Sequence, residues 1–543
     1  MKTKAEAAIN AAAFAIISLL ASVLLFVRLD AKSFWADELY TWTLAGHSPV
    51  TILSDVAADL HPPLYFILIH YWSLLVGQGE FALRYFSVAV SLLALSTIFA
   101  LGRRLWDGRI GLAATLLTTL SPFFLLYSRM ARYYSLTLLL ALLSVLAFLK
   151  LLSKPTRFHW ALYVIVGALL LYTDYPAASA LITQNLLVLL LYFLRRRPGG
   201  WDWFRISGFA FPKGDVGNTL FKWANPGFET PFFQQWILAQ VAIVVLYLPW
   251  LGTAWRSVNA ASVSGVADFA RDWFGYVPKL AFPFYSFSVG ETLFPWHPLA
   301  PFILVAFGVL AVTGYWLLMR NRPDSAVVLL AFLVLPLLFT TFIVSFISTA
   351  TTFLNIPSRT MFAFPFFILI VSAGILYRRD VRIQMVATIV IVLGSAVSLA
   401  NYHLGLQMFN PIYAVPMKEI VQDVSAQARP GDVFVSEGDT GFGHYYRQAA
   451  NSPPYFQADS NEAVRFLQTE KSARVWLVSF GRDRTRLADN TLPELKDLLA
   501  RDYRLEGSRG YVEQDPTYRK VKEFLLGRPA YQYKVLVELY VRR

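Results

Sequence analysis

"SFWADELYTWTLAGHSPVTILSDVAADLHPPLYF", residues 33–66, follows an apolar N-terminal segment and precedes a chain that stays hydrophobic nearly to residue 400. The stretch differs from its surroundings because it collects acidic residues and a histidine beside tryptophans and a Pro-Pro pair. These ionisable residues are Asp37, Glu38, Asp55, Asp59 and His61. Ionisable side chains are costly at the edge of a bilayer and generally serve a function there. The stretch therefore predicts a functional loop at the edge of a membrane domain.

The composition of the chain is that of an integral membrane protein. Of its 543 residues, 56% are hydrophobic and only 15% are charged, whereas about a quarter of the residues in soluble domains are charged. Cysteine is absent, which excludes disulfides and thiolate metal sites. The net charge of +13 would suit a nucleic-acid-binding protein, but the lysines and arginines lie in turns between apolar segments. That position is typical of cytoplasmic loops, so no nucleic-acid partner is predicted.

Eleven apolar segments have about the length needed to cross a bilayer, and each is predicted to be a transmembrane helix. They are residues 9–28, 83–102, 110–127, 133–152, 159–175, 177–194, 236–254, 299–319, 324–347, 360–377 and 383–402. With a cytoplasmic N-terminus, every predicted inner turn is basic, as the positive-inside rule requires. The segment 61–77 is predicted not to cross, since a crossing there would reverse every later turn. The prediction is a multi-pass protein of the inner or plasma membrane whose C-terminal part is extracytoplasmic.

The predicted spans divide the chain into two domains. Residues 1–402 form a transmembrane domain whose first extracytoplasmic loop is 29–82, with an inner loop at 198–235 and an outer loop at 255–298. Residues 403–543 form a soluble domain in which strands and helices alternate: strands at 432–436, 473–480 and 533–541, helices at 461–468 and 492–503. The predicted fold class is a polytopic α-helical membrane protein with a C-terminal α/β domain. That domain shows no phosphate loop, metal-ligand spacing or nucleophile elbow, so we expect a scaffold or a lid that guides the acceptor.

Part of the first loop is predicted to be a helix. Ser48-Pro49 is a favourable start, with serine at the N-cap and proline at the first helical position. Beyond it, Asp55 and Asp59 fall on one face and apolar residues on the other, as in a helix that lies on a membrane surface. The Pro-Pro pair after His61 ends the helix, because proline disfavours helical conformation in the residue before it.

Asp37 and Glu38 lie between Trp35 and Trp42, aromatic residues suited to the headgroup layer or to stacking on a sugar. Carboxylates in this position are compatible with three roles. They can act as a general base towards a hydroxyl, bind a divalent cation through oxygen, or cap a helix. The further acids and the histidine of the same loop favour the first two roles over capping.

A second outer turn, "LYSRMARYYSL" at residues 126–136, is rich in arginine. Arg129, Arg132 and Tyr133 are three or four residues apart and are predicted to share one face of a helix. Arginine at an outer turn runs against the positive-inside rule and indicates a local anion. A phosphate is one candidate, because a guanidinium can bind two of its oxygens. The acidic residues of the first loop are the other candidate.

Two more outer turns carry ionisable residues: "TDYPAA" with Asp174 and Tyr175, and "NIPSRTMFAFP" with Arg359. Acids and arginines together suit a substrate with a hydroxyl to be deprotonated and a lipid phosphate leaving group to be stabilised. A transporter or flippase of a lipid-linked sugar is the alternative, but it would need polar residues at the midplane, where these segments are apolar. A membrane-anchored structural or sensory protein, the remaining alternative, leaves both clusters without a role.

The order of these motifs resembles the GT-C superfamily of integral-membrane glycosyltransferases. The features that carry the resemblance are the basic N-terminus, one helix, a loop with Asp-Glu, "HPPLYF", a span that ends in basic residues, and "SRMARYY". The resemblance is greatest to the branch that holds protein O-mannosyltransferases, the lipid A aminoarabinose transferase and the rhizobial lipid A galacturonosyltransferases. It covers residues 10–200 well, is looser through 236–402 and is faint in the tail.

The resemblance implies an enzyme that transfers a sugar from a polyprenyl-phosphate donor to an acceptor hydroxyl outside the cytoplasm, usually with inversion. The acceptor would be a glycan, a lipid or a protein, and the enzyme would work among membrane lipids. Asp37 would be the general base and Glu38 would assist it. The residues implied at the donor phosphate or sugar are His61, Arg129, Arg132, Tyr133 and Arg359, with Asp59, Asp174 and Tyr175 as further candidates. Some branches of the superfamily require a divalent cation and others do not. Asp37, Glu38 and Asp59 are the candidate ligands for such a cation here.

Overall fold

The computed structural model describes residues 2–59, 61–196, 230–262, 276–347, 353–376, 381–437, 440–447, 453–481, 492–513, 515–526 and 534–543. The chain forms two compact units. The membrane unit comprises residues 1–27 and 44–406, and the tail unit comprises residues 28–43 and 407–543. The predicted loops 198–235 and 255–298 lie partly outside the described residues.

Helices make up nearly all of the described chain before residue 406. In chain order they are α1 Lys2–Phe26, α2 Ala36–Ala45, α3 Pro49–Ala58, α4 Leu64–Val76, α5 Glu80–Leu105, α6 Gly108–Leu120, α7 Pro122–Ser128, α8 Tyr134–Ser153, α9 Arg157–Leu171, α10 Ala178–Arg196, α11 Thr230–Ser262, α12 Tyr276–Val289, α13 Ala300–Asn321, α14 Pro323–Ile347, α15 Ile356–Arg359, α16 Phe364–Leu376 and α17 Val381–Leu404. Short 3-10 turns precede α10, α15 and α16 at Tyr175–Ala177, Phe353–Asn355 and Met361–Ala363.

Eight helices within the described ranges are long and apolar enough to cross a membrane. The pair α6 and α7 makes a ninth if the two are counted as one span, although they are bent by 67°. The bend follows from Pro122, which cannot continue the hydrogen-bond ladder of α6, and from Ser121, whose side chain caps α7. The predicted spans 159–175 and 360–377 correspond to apolar helices below this length. The polytopic helical fold is confirmed, while length alone supports fewer crossings than the eleven predicted.

The helix predicted after Ser48 is confirmed as α3. The hydroxyl of Ser48 accepts a hydrogen bond from the backbone N–H of Thr51 at 3.2 Å, and Pro49 occupies the first turn. The helix ends at Ala58, just before the Pro-Pro pair. The next helix, α4, has 13 residues and is about 20 Å long. It is shorter than the hydrocarbon core of about 30 Å, in agreement with the prediction that residues 61–77 do not cross.

The tail unit is a five-stranded sheet with helices on both faces. Its elements are α18 Met417–Gln427, β1 Val433–Ser436, α19 Thr440–Tyr446, β2 Tyr455–Gln457, α20 Asn461–Glu470, β3 Arg474–Gly481, α21 Pro493–Asp502, β4 Tyr503–Glu513, α22 Pro516–Leu526 and β5 Lys534–Arg542. The strand order is β2-β1-β3-β5-β4, parallel between β2, β1 and β3 and antiparallel between β3, β5 and β4. The predicted strands 432–436, 473–480 and 533–541 are confirmed as β1, β3 and β5. One apolar core packs against α18 and α19, and the other against α20 and α21.

Candidate functional site

Several of the predicted site residues meet at the ends of helices in the membrane unit. His61 follows α3, Arg132 and Tyr133 lie between α7 and α8, and Arg359 is the last residue of α15. The prediction that Arg129, Arg132 and Tyr133 share one face of a helix is wrong, because residues 129–133 form a buried turn. In this turn the N–H of Arg132 donates to the carbonyl of Met130 at 2.7 Å. The site is therefore assembled by a tight turn and tertiary contacts, and not by helical spacing.

Arg132, His61 and Asp59 form a chain of polar contacts. Arg132 is buried, with 1% of its surface exposed, and its Nη2 lies 3.0 Å from Nε2 of His61. Nδ1 of His61 lies 3.1 Å from the carboxylate of Asp59. A guanidinium can only donate, so Nε2 accepts and the Nδ1–H donates to Asp59. Burial lowers the pKa of His61, and the nearby guanidinium groups lower it further against the effect of Asp59. The neutral ring thus holds the Arg132 guanidinium in place.

Tyr133 contacts both guanidinium groups of the site. Arg132 and Arg359 lie over its ring, at 5.0 and 5.3 Å from the centroid, and Arg359 also donates a hydrogen bond to its hydroxyl. The same guanidinium is 3.5 Å from the carboxylate of Asp174, which precedes the turn Tyr175–Ala177. About 29% of the Arg359 side chain is exposed. The Arg359 guanidinium is thus the accessible cation of the site. The Tyr133 hydroxyl and the Asp174 carboxylate hold it in place.

The Asp174 carboxyl responds to pH near neutrality. Burial raises its pKa to about 6, although the charges of Arg359 and Arg132 and the hydrogen bond from Arg359 act in the opposite direction. At neutral pH the carboxylate is therefore mainly charged and pairs with Arg359. Below about pH 6 it becomes neutral, and the positive charge of Arg359 is less compensated. The charge that faces Arg359 therefore changes in this pH range.

Tyr175 hydrogen-bonds to a tryptophan, and Arg129 hydrogen-bonds to backbone carbonyls. The hydroxyl of Tyr175 accepts a hydrogen bond from Nε1 of Trp250 on α11 at 3.0 Å. The Arg129 guanidinium donates to the carbonyls of Leu24 and Val27, at 3.1 and 2.8 Å, at the end of α1. These carbonyls lack partners inside a helix, so Arg129 anchors α1 to the arginine turn. Its role as a phosphate contact stays a prediction.

Asp37 and Glu38 belong to the tail unit, in the first turn of α2. Carboxylates are favourable there because of the positive end of the helix dipole. Glu38 is buried and Asp37 is half-buried. The preceding segment is held by the tail: the N–H of Phe34 donates to the hydroxyl of Tyr445 at 2.7 Å, and Trp42 contacts His444 at 4.3 Å between ring centroids. The roles of the two acids as base and assistant stay predictions.

Glu291 is a buried acid that the sequence patterns did not single out. It is 2% exposed, and the hydroxyl of Tyr127 lies 2.9 Å from both carboxylate oxygens. Burial raises its pKa to about 8, against the lowering effect of the hydrogen bond from Tyr127. Tyr127 contacts Tyr134, the residue that follows the arginine turn, at 5.3 Å between ring centroids. One sequence signal was available: Glu291 is the only Asp, Glu, Lys or Arg between Lys279 and Arg320.

A protein metal site is built from several His, Asp or Glu side chains that lie close together. Within the described ranges, no group of three or more His, Asp or Glu side chains is arranged to hold a metal ion. The geometry of the membrane unit suits the binding of an anion by guanidinium groups.

A known protein family and several solved structures resemble this chain. Residues 60–205 match the family model of dolichyl-phosphate-mannose-protein mannosyltransferase, a range that contains His61, the arginine turn and Asp174. The structure is similar to ArnT from Cupriavidus metallidurans in the apo state, with a TM-score of 0.50 at 13% identity, over 96% of this chain and 97% of that one. ArnT bound to undecaprenyl phosphate gives a TM-score of 0.49 at 14% identity, again over 96% of this chain and 97% of that one. The oligosaccharyltransferase AglB from Archaeoglobus fulgidus was solved with an inhibitory peptide and dolichol phosphate. It gives a TM-score of 0.44 at 11% identity, over 87% of this chain and 69% of that one. No curated protein sequence matches the chain.

These findings define the class of protein. The chain is a multi-pass membrane protein with the GT-C glycosyltransferase fold, followed by a small C-terminal α/β unit. Residues 60–205 carry the sequence features of the mannosyltransferase family in this superfamily. The resemblance stated from the motifs is thereby confirmed.

Proposed function

We propose that the protein transfers a sugar from a polyprenyl-phosphate donor to an acceptor hydroxyl on the extracytoplasmic side of the membrane. The observation that carries the proposal is that the Arg132 and Arg359 guanidinium groups both lie over the Tyr133 ring, while His61 accepts a hydrogen bond from Arg132. Two guanidinium groups at helix ends suit a phosphate that leaves with negative charge. ArnT, whose fold the chain shares, has also been solved with undecaprenyl phosphate bound, which makes this lipid phosphate the first ligand to test.

The arginines stabilise the leaving phosphate. Each guanidinium offers paired N–H donors that match two phosphate oxygens. The burial of Arg132 raises the strength of its electrostatic interactions. His61 acts as a positioning residue, because its neutral ring accepts from Arg132 and cannot itself repel a cation. Arg359 contacts the phosphate with the exposed part of its side chain.

Asp37 is the general base of the proposal. The acceptor oxygen attacks the anomeric carbon, its proton goes to the Asp37 carboxylate, and the bond between the anomeric carbon and the phosphate oxygen breaks. The electron pair of that bond leaves with polyprenyl phosphate. A single displacement of this kind inverts the anomeric centre. Glu38, the next residue in the same helical turn, orients the base.

The experiment measures release of polyprenyl phosphate by the full chain in nanodiscs. A panel of polyprenyl-phosphate sugars is offered with an envelope extract as the source of acceptors, with and without EDTA. Wild type is compared with Asp37→Asn and with Asp55→Asn. Asp55 is the matched control, a partly exposed carboxylate of the same loop that pairs with His47 at 2.8 Å.

Release from one donor, lost in Asp37→Asn and kept in Asp55→Asn, would support the proposal and identify the sugar. An active Asp37→Asn variant would refute the role of the base. Tight binding of a donor with no release in any extract would refute transfer and favour a flippase. Product stereochemistry, read by NMR of the purified glycan, tests inversion separately.

A further inference from the structure

An apolar groove lies on the membrane unit. It has a volume of about 790 Å³ and lies between α12, α13, α14 and α16, a volume in the usual range of ligand pockets. Along α13 its lining runs from Leu304 to Arg320, which is about 24 Å of helix. The lining is apolar except for a few groups, among them Ser288 and Arg320. Its length and composition suit a hydrocarbon chain.

Two of the helices that line the groove, α13 and α16, approach each other closely. A Cβ atom at Gly314 would lie 2.0 Å from the carbonyl oxygen of Ile370, and one at Gly374 would lie 2.1 Å from that of Leu310. The two helices therefore touch backbone to backbone, and α12 and α14 form the outer walls. Gly308, one turn and a half before Gly314, has nothing within 4 Å of the position of its Cβ. This glycine lies on the floor of the groove.

The groove ends at an arginine paired with a tryptophan. The Arg320 guanidinium lies 4.2 Å from the centre of the Trp316 ring, and both residues line the groove and are exposed. Tryptophan and arginine at the end of an apolar helix are typical of the headgroup layer. The Ser325 hydroxyl donates to the carbonyl of Leu105, so Arg103 and Arg104 at the end of α5 lie at the same level. A basic surface of this kind attracts anionic lipid headgroups.

Arg320 lies at the opposite membrane face from the site. The rings of Phe307 and Phe367 are 5.8 Å apart, and further along both helices Gly314 meets Gly374. The helices α13 and α16 are therefore parallel. Arg359 precedes the start of α16, whereas Arg320 ends α13, whose 22 residues span about 33 Å. A phosphate held by Arg359 cannot be the anion at Arg320.

We propose that this groove binds an anionic phospholipid of the leaflet opposite the site, with one acyl chain along α13 and the phosphate at Arg320. The ligand is a structural lipid and not the sugar donor, because its headgroup lies at the other face. The exclusion of the sugar donor rests on the proposed function, which places the donor phosphate at Arg359, whereas the lipid site itself does not. It requires only the groove, its cationic end and the parallel packing of α13 and α16.

The test counts lipids that stay bound to the full chain. Protein from nanodiscs that contain equal amounts of phosphatidylglycerol and phosphatidylcholine with identical acyl chains is extracted into detergent, and the retained lipids are measured by mass spectrometry. Gly308→Leu fills the floor of the groove without a clash at Cβ. Gly252→Leu on α11 is the matched control, because its Cβ position is equally open and Gly252 does not line the groove. Both substitutions also favour helix, so both variants are expected to fold.

We expect wild type and Gly252→Leu to retain phosphatidylglycerol about fivefold over phosphatidylcholine, as one arginine near a headgroup supports. Gly308→Leu should lose the retained lipid, and Arg320→Gln should keep a lipid but lose the preference. Arg103→Gln, at the same level but outside the groove, should keep both. Equal retention of the two lipids by wild type, or unchanged retention in Gly308→Leu, would overturn the proposal. The proposal would also be overturned if the protein, offered phosphatidylglycerol and undecaprenyl phosphate together, retained undecaprenyl phosphate instead. That result would assign the groove to the polyprenyl chain of the sugar donor.

Discussion

Replacing Glu291 by glutamine is expected to remove a pH dependence from the stability of the protein. Glu291 is buried beside the hydroxyl of Tyr127, and its pKa is raised from 4.5 to about 8 by burial. The folded protein therefore keeps the proton over a range in which the unfolded chain loses it. Because the folded state binds more protons, stability falls as the pH rises.

The size of the effect follows from the pKa shift. Below pH 4.5 both states are protonated and Glu291 costs nothing. Between pH 4.5 and about 8 the free energy of unfolding falls by about 1.4 kcal/mol per pH unit, which amounts to about 5 kcal/mol over the whole range. Above pH 8 both states are ionised and the loss is complete. Glutamine has nearly the same shape, accepts from Tyr127 and does not titrate, so its advantage over glutamate should grow with pH.

The assay is thermal unfolding in detergent, followed by tryptophan fluorescence from acidic to mildly alkaline pH. Glu291→Gln should melt close to wild type at the acidic end and above it at the alkaline end. In Tyr127→Phe the lost hydrogen bond would raise the Glu291 pKa further, so the decline should extend to higher pH. Asp55→Asn serves as the control for removing a more exposed carboxylate. Parallel melting curves of wild type and Glu291→Gln at every pH would refute the reasoning.

Two further predictions concern the site. Asp174→Asn should bind undecaprenyl phosphate more tightly than wild type at neutral pH in a direct binding assay, because the Asp174 carboxylate compensates Arg359 in wild type. The phosphate itself titrates near pH 6 in both proteins, so the quantity to follow is the ratio of the two affinities. This ratio should approach one as the pH falls below about 6, and a ratio that does not change with pH would contradict the assignment. Arg129→Gln should lower the melting temperature, since loss of the hydrogen bonds to Leu24 and Val27 removes about 1–3 kcal/mol, with donor affinity retained. Unchanged melting with lost donor binding would instead support a phosphate contact.

Most of the helices and three tail strands were predictable because their signals are local. A long apolar run or an alternating strand is decided by hydrophobicity alone. The strands β2 and β4 escaped prediction for different reasons: β2 has three residues, and β4 is broken by two irregularities near Gly507 and Gly510. The bend at Pro122 was also missed, because the apolar run continues through it.

The site was predictable as a set of residues but not as an arrangement. Positive-inside bias and the motif order singled out Arg129, Arg132 and Arg359, yet only the last two meet at Tyr133. Which way each arginine points in a buried turn depends on tertiary partners, such as the carbonyls of α1 for Arg129. Glu291 has no motif at all, and its importance appears only when its burial and the contact with Tyr127 are known.

Residues 28–43, which include Asp37, pack with the tail unit. The N–H of Lys418 donates to the hydroxyl of Ser33 at 3.0 Å, and that of Phe34 donates to Tyr445 at 2.7 Å, across 385 and 411 residues of sequence. Asp37 begins the helix that follows directly, so the direction of its carboxylate depends on where the tail holds this segment. If Asp37 is the base, the tail is part of the catalytic machinery and not only a lid. A change in the tail can then alter transfer without touching donor or acceptor, because it moves the backbone that carries the base.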